Sequence, residues 1–174
     1  MPDPVQQKEV IRVRDAGVLD FVLDKHVAGV RRGIPASVVM FDLDDFKGYN
    51  DAHAHAAGDD VLTLVARVLT DEARRSDLPT RTGGEEFVVV LTGTPIEGAV
   101  AYAERVRKRI AEAETTTGAR ITVSVGVAEA RRDHWNTADV LAEADEALYT
   151  AKRSGRNRVV VHGIGMPRKQ SAAA

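Results

Sequence analysis

An α/β domain built on a mixed sheet is predicted by three features of this sequence. Helix-period and strand-period segments alternate along the chain. Gly83-Gly84 lies between two extended segments, the signal of an antiparallel hairpin within the sheet. The 174 residues, 44% of them hydrophobic, make one globular domain with enough chain for a real core.

The elements follow in order. Residues 1–14 are polar and read as a linker or the stub of a helix from an upstream domain. Ala36-Ser37-Val38-Val39-Met40-Phe41 is an apolar run of buried-strand length. Val61, Leu64, Val65, Val68 and Leu69 keep the stripe of an amphipathic helix. Phe87-Val88-Val89-Val90 leaves the hairpin as a strand. Ala99, Ala103, Val106 and Ile110 mark a second helix, on which Arg107, Lys108 and Arg109 read as a solvated face and Glu104 with Lys108 as an i,i+4 pair. Ile121, Val123, Val125 and Val127 alternate with Arg120, Thr122, Ser124 and Gly126, as in a half-buried strand. Leu141, Ala144, Leu148 and Ala151 form a third helix, with Asn136 or Thr137 available as its cap. Arg158 to Val161 is a last short strand. Residues 163–174 lack an apolar period and read as a disordered tail.

Composition narrows the function. A net charge of −2 gives no strong field for nucleic acid or a membrane surface. Aromatics at 5% argue against a base-stacking single-strand binder. The chain has no cysteine, hence neither disulfide nor thiolate metal site. No apolar stretch approaches a membrane span, and Met1-Pro2-Asp3-Pro4 does not read as a secretory signal. A cytoplasmic location is the expectation.

Two acidic clusters carry the chemistry. Arg81-Thr82-Gly83-Gly84-Glu85-Glu86-Phe87 puts two carboxylates on a glycine turn whose backbone a phosphate can approach closely. Carboxylates there repel phosphate unless a divalent cation lies between. The run Phe41-Asp42-Leu43-Asp44-Asp45-Phe46-Lys47 ends a strand, and Asp42 and Asp44 share a face if it stays extended. Such a strand end suits magnesium, which takes one or two carboxylates plus substrate phosphates. Each cluster alone also fits an acidic turn or a solvated hairpin. His53 and His55 could suggest a metal site, but no third ligand accompanies them.

Together these motifs resemble a GGDEF domain, the catalytic module of diguanylate cyclases, in its Gly-Gly-Glu-Glu-Phe variant. In family order come Phe41 to Lys47, Asn50-Asp51, His55, Gly58-Asp59, Arg74-Arg75-Ser76-Asp77, Arg81 to Phe87, Thr122 to Val127, Ala144 to Tyr149, and Ala151 to Asn157. The resemblance spans residues 15–162.

It implies a palm-like sheet related to nucleotidyl cyclases and polymerases. It also implies condensation of two GTP into cyclic di-GMP with release of two pyrophosphates, across a homodimer. Two magnesium or manganese ions would be held by Asp42, the Leu43 carbonyl, Glu85 and Glu86, with Glu85 accepting the 3′-hydroxyl proton. Phe46, Lys47, Lys152 and Arg156 fall at phosphate-contacting positions; Lys152 to Arg156 also reads as a cationic helix end with a glycine cap. Asn50, His55 and Asp59 fall at the guanine and ribose positions, and a carboxylate such as Asp59 can accept both donors of guanine. Arg74, Asp77 and Arg105 match a product-binding inhibitory site.

The sequence departs from the family pattern in the segment Arg14 to Val22, at Ala54 before His55, and at Asp45. A weakly active, concentration-dependent enzyme is expected. The alternatives are a receptor for cyclic di-GMP or GTP, and a cyclase with another nucleotide product. Intact Asp42, Glu85 and Glu86 speak against the first, Asn50 and Asp59 against the second.

Overall fold

The computed structural model describes residues 14–15, 24–25, 28–30, 32–131 and 137–164. Six strands make one sheet in the order β1-β3-β4-β2-β5-β6. They are β1 (Arg14–Asp15), β2 (Ala36–Leu43), β3 (Leu78–Gly83), β4 (Glu86–Thr92), β5 (Val123–Glu129) and β6 (Val159–Val161). The helices are α1 (Phe46–His53), α2 (His55–Glu72), α3 (Ile96–Glu112) and α4 (Thr137–Arg153). The sheet is mixed as expected: β2 runs antiparallel to both β4 and β5, whereas β1–β3 and β5–β6 are parallel.

Alternation along β2 explains the layering. Val39, Phe41 and Leu43 face one side and pack with Phe87, Val89, Leu91, Val123, Val125 and Val127 beneath α1, α2 and α3. Ala36 and Val38 face the other side, with Val88, Val90, Ala128 and the α4 residues Val140 and Ala144. Covered on both faces, β2 reads as a continuous apolar run. Burying a side chain such as Phe41 stabilises by roughly 1.5–3 kcal/mol.

Three expectations need correction. The β5 strand is not half-buried: Ser124 and Gly126 are enclosed along with Val123, Val125 and Val127. A helix covers each face of β5, so its polar alternates mark close packing. Glu104 does not pair with Lys108; its carboxylate takes Arg107, three residues on, at 2.9 Å. Arg107 is half-buried rather than solvated, whereas Arg109 stays exposed and reaches Glu72 at 2.8 Å and Asp71 at 3.5 Å. Thr137 opens α4, and its hydroxyl donates to the Asp24 carboxylate at 2.5 Å. Asn136, the tail beyond 164, and residues 16–22 lie outside the described residues.

Candidate active site

The hairpin forms at the expected place, with Gly84 and Glu85 as its two-residue turn. Neither Gly83 nor Gly84 adopts the left-handed region. Their value lies in space: a Cβ on Gly84 would meet nothing within 4 Å. Arg81 braces the turn, its guanidinium donating to the Gly84 carbonyl at 2.7 and 3.1 Å. A register shift between Arg81 and Gly83 bends the strand there. Asp15, at the start of the divergent segment, lies beside Arg81 in parallel register.

The sheet register unites the two acidic clusters. Asp42 stands directly opposite Glu86 on one side and Ser124 on the other, so all three share the α4 face. The Leu43 N–H donates to the Glu85 carbonyl at 3.3 Å, tying the hairpin tip to the end of β2. From α4, Lys152 Nζ reaches Asp42 Oδ2 at 2.8 Å. Burial pushes the Asp42 carboxyl up, the neighbouring Asp44 adds to this, and the bond from Lys152 opposes it. Glu85 is likewise pushed up, by burial and then by the charge of Asp42. Crowded, partly desolvated carboxylates with raised affinity for a positive charge fit a divalent cation. Among the described residues, no three His, Asp or Glu side chains are gathered as a ligand cluster. The ammonium of Lys152 is the cation beside Asp42.

Asp44 does not extend the acidic face as a strand residue would, because β2 ends at Leu43. It turns inward and accepts from Thr122 Oγ1 at 2.7 Å, Ser124 Oγ at 2.6 Å and the Asn157 N–H at 3.0 Å. The next residue, Asp45, is left-handed at φ 52° and gives α1 no side-chain cap. Lys47 is exposed and Phe46 is buried at the start of α1.

The cationic end of α4 is a Schellman cap. The Arg156 N–H returns to the Ala151 carbonyl at 3.1 Å, and Gly155 takes φ 111°. Arg156 at φ 61° and Asn157 at φ 44° are also left-handed. For arginine that conformation costs roughly 1–2 kcal/mol. The turn leaves Arg156 exposed near Lys152.

Asn50 packs against Gly58, where a Cβ would meet its side-chain oxygen at 1.9 Å, and that oxygen is buried without a partner. That oxygen lies enclosed between α1 and α2. His55 and Asp59 are exposed on the first turns of α2. His53 is placed against the Tyr49 ring at 4.8 Å.

Arg74 and Asp77 share one turn, but not as an ion pair: the Asp77 carboxylate accepts the Arg74 N–H at 2.7 Å, and its other oxygen is buried and unpartnered. Arg105 donates to Glu72 at 2.9 Å. Tyr102 lies among Asp77, Glu72 and Arg105, and burial with the two negative charges pushes its hydroxyl up.

Sequence reasoning missed Asp44 as a hub, the Arg81 brace and the role of Gly126. A Cβ at Gly126 would meet the Ala144 carbonyl at 2.1 Å and the Leu148 nitrogen at 2.3 Å. A glycine inside a strand pattern signals such close backbone approach. Nothing in the local sequence distinguishes Asp44 from Asp42.

Known proteins share this sequence pattern and this fold. Residues 18–158 match the family described as diguanylate cyclase, GGDEF domain. Diguanylate cyclase A of Treponema denticola is 39% identical over 135 residues, covering 76% of this chain and 36% of that protein. The active GGEEF domain of a diguanylate cyclase from Vibrio cholerae superposes with a TM-score of 0.83 at 33% identity, covering 86% of this chain and 97% of that one. The GGDEF domain of DgcB from Caulobacter crescentus, solved in complex with c-di-GMP, gives 0.82 at 31% identity, covering 86% and 91%. The chain spans about a third of the curated relatives it matches. On its motifs, its sheet order and these matches, the chain belongs to the GGDEF domain family of diguanylate cyclases.

Proposed function

We propose that this domain condenses two GTP into cyclic di-GMP, releasing two pyrophosphates. The observation that carries the reading is the meeting of Asp42 and the Gly84-Glu85 turn at one end of the sheet, faced by Lys152. Magnesium or manganese, two per site, would be held by Asp42, the Leu43 carbonyl, Glu85 and Glu86. When bound, such cations neutralise the triphosphate and favour ionisation of the attacking hydroxyl. Glu85, at the tip of the hairpin beside Asp42, accepts the 3′-hydroxyl proton. The backbone of the Asp45-Phe46-Lys47 turn and the side chains of Lys47, Lys152 and Arg156 hold the triphosphate. Asp59 accepts the paired donors of guanine, the Asn50 carboxamide contacts its edge, and His55 borders the substrate.

One chain binds one GTP, so two copies meet face to face as a homodimer, and each 3′-hydroxyl attacks the α-phosphate of the other nucleotide. Arg74, Asp77 and Arg105 form an inhibitory site for the product, with Arg105 released from Glu72 when it binds. The relatives' greater length supports an upstream sensory region or partner that sets the dimer. A cytoplasmic location fits a GTP-consuming enzyme, and none of the described helices is long and apolar enough to cross a membrane.

Liquid chromatography with mass spectrometry on GTP-magnesium incubations tests the reading, beside an Asp42→Ala control. Cyclic di-GMP in the wild type and none in the control is the expected result. No dinucleotide, with cyclic di-GMP still bound, would make the domain a receptor.

A further inference from the structure

The turn at residues 154–157 combines three properties that its local sequence does not explain. It carries Arg156 in a conformation that arginine avoids, it is exposed, and it is held from two directions by residues far away in the chain. From inside, Asp44 Oδ2 accepts the Asn157 N–H at 3.0 Å. The same carboxylate is locked by Thr122, just before β5, and by Ser124 on that strand. From outside, Arg107 Nη1 donates to Asn157 Oδ1 at 2.8 Å, with a longer contact of 3.5 Å to the Asn157 carbonyl. Glu104 fixes the Arg107 guanidinium through two bonds, at 3.0 and 2.9 Å.

We propose that Asp44 is a positioning residue which, together with Arg107, clamps the strained Arg156–Asn157 turn so that the cationic end of α4 faces the acidic end of β2. A carboxylate is required at 44 because three donors converge on two oxygens, whereas an amide has one oxygen to offer. Asp42 and Asp44 therefore divide the work of one motif. Asp42 presents charge to the site, and Asp44, two residues on, builds the opposite wall. The clamp makes the side holding the cation and the side holding phosphate a single rigid unit, as productive geometry demands. This inference rests on the nucleotide reading above, through the assignment of Arg156 to phosphate.

The test is calorimetric titration of the full chain, in magnesium, with a GTP analogue whose α and β phosphates are bridged by methylene and cannot separate. Asp44→Asn is expected to weaken binding about tenfold, and Arg107→Gln about threefold. Arg156→Ala also weakens it, and Asp44→Asn/Arg156→Ala binds within about twofold of Arg156→Ala alone, since the first residue acts through the second. A merely structural role for Asp44 would give losses that add. Additive losses, or an Asp44→Asn variant that binds as the wild type does, would overturn the positioning role and leave the nucleotide site standing. Failure of the wild-type chain to bind the analogue overturns both. If Asp44→Asn does not fold, Arg107→Gln, on the outer side of α3, is put through the same cycle with Arg156→Ala and decides the matter alone.

Discussion

Asp42 illustrates a residue kept at some expense to the fold. Its carboxyl is buried at the end of a central strand, with Asp44 nearby, and only the Lys152 ammonium relieves it. Its folded pKa is raised above 3.8, so the charged form disfavours folding. The contribution is harmless below the ordinary carboxylate range and becomes destabilising as pH rises through the folded value to neutrality. Asp42→Asn is therefore expected to lose at least about a hundredfold in turnover while its melting temperature at neutral pH stays level or rises. Differential scanning calorimetry beside the product assay checks this. A large fall in melting temperature would show instead that the Lys152 pair holds the structure. Gly84 gives the complementary case. With open space where a Cβ would stand, Gly84→Ala should melt like the wild type yet lose activity about tenfold or more, because the methyl fills the approach to the backbone.

At the scale of elements, α4 is placed by contact of bare backbone. Gly126 on β5 lets the Ala144 and Leu148 backbone come close enough that any side chain collides. Gly126→Ala is expected to cost roughly 1–3 kcal/mol in urea unfolding, and to reduce activity too, since Lys152 rides on the displaced helix. Helices α2 and α3 are tied differently. Glu72 accepts from Arg105 and Arg109 and its pKa is lowered from 4.5 by those bonds. A lowered folded pKa means stability that is present above 4.5 and lost as pH falls through the depressed value. Both arginines are about half exposed, so Glu72→Gln should cost no more than about 1 kcal/mol at neutral pH. The difference from wild type should vanish in acid. The same variant frees Arg105, and tighter cyclic di-GMP binding by it would support the inhibitory site.

For the whole molecule, the proposed joining of two GTP would require two copies of a site that holds one. Initial rates of product formation should rise more steeply than linearly with protein concentration, approaching proportionality only once the dimer is populated. Rates proportional to concentration down to the most dilute samples would contradict assembly on this timescale.

Local pattern was enough for β2, β4, α2, α3 and α4, the hairpin at Gly83-Gly84 and the position of the acidic motifs, but it named neither α1 nor β1, whose Arg14 reads as part of a linker or helix stub. Periodicity and turn chemistry act over a few residues; α2 and α3 obey the helical period, and β2 and β4 show as short continuous apolar runs. It was not enough for β5, where the period of two suggested one wet face. Helices from distant parts of the chain cover both sides, and burial is a property of what packs against a strand. Asp44 lay beyond reach for the same reason. Its partners are 78, 80 and 113 positions away, so only folding makes it a brace. Residue types and spacing thus determined which chemistry this protein can carry. The tertiary structure decided what Asp44 braces, which cation stands beside Asp42, and which turn is held in strain, because those depend on contacts that no local pattern encodes.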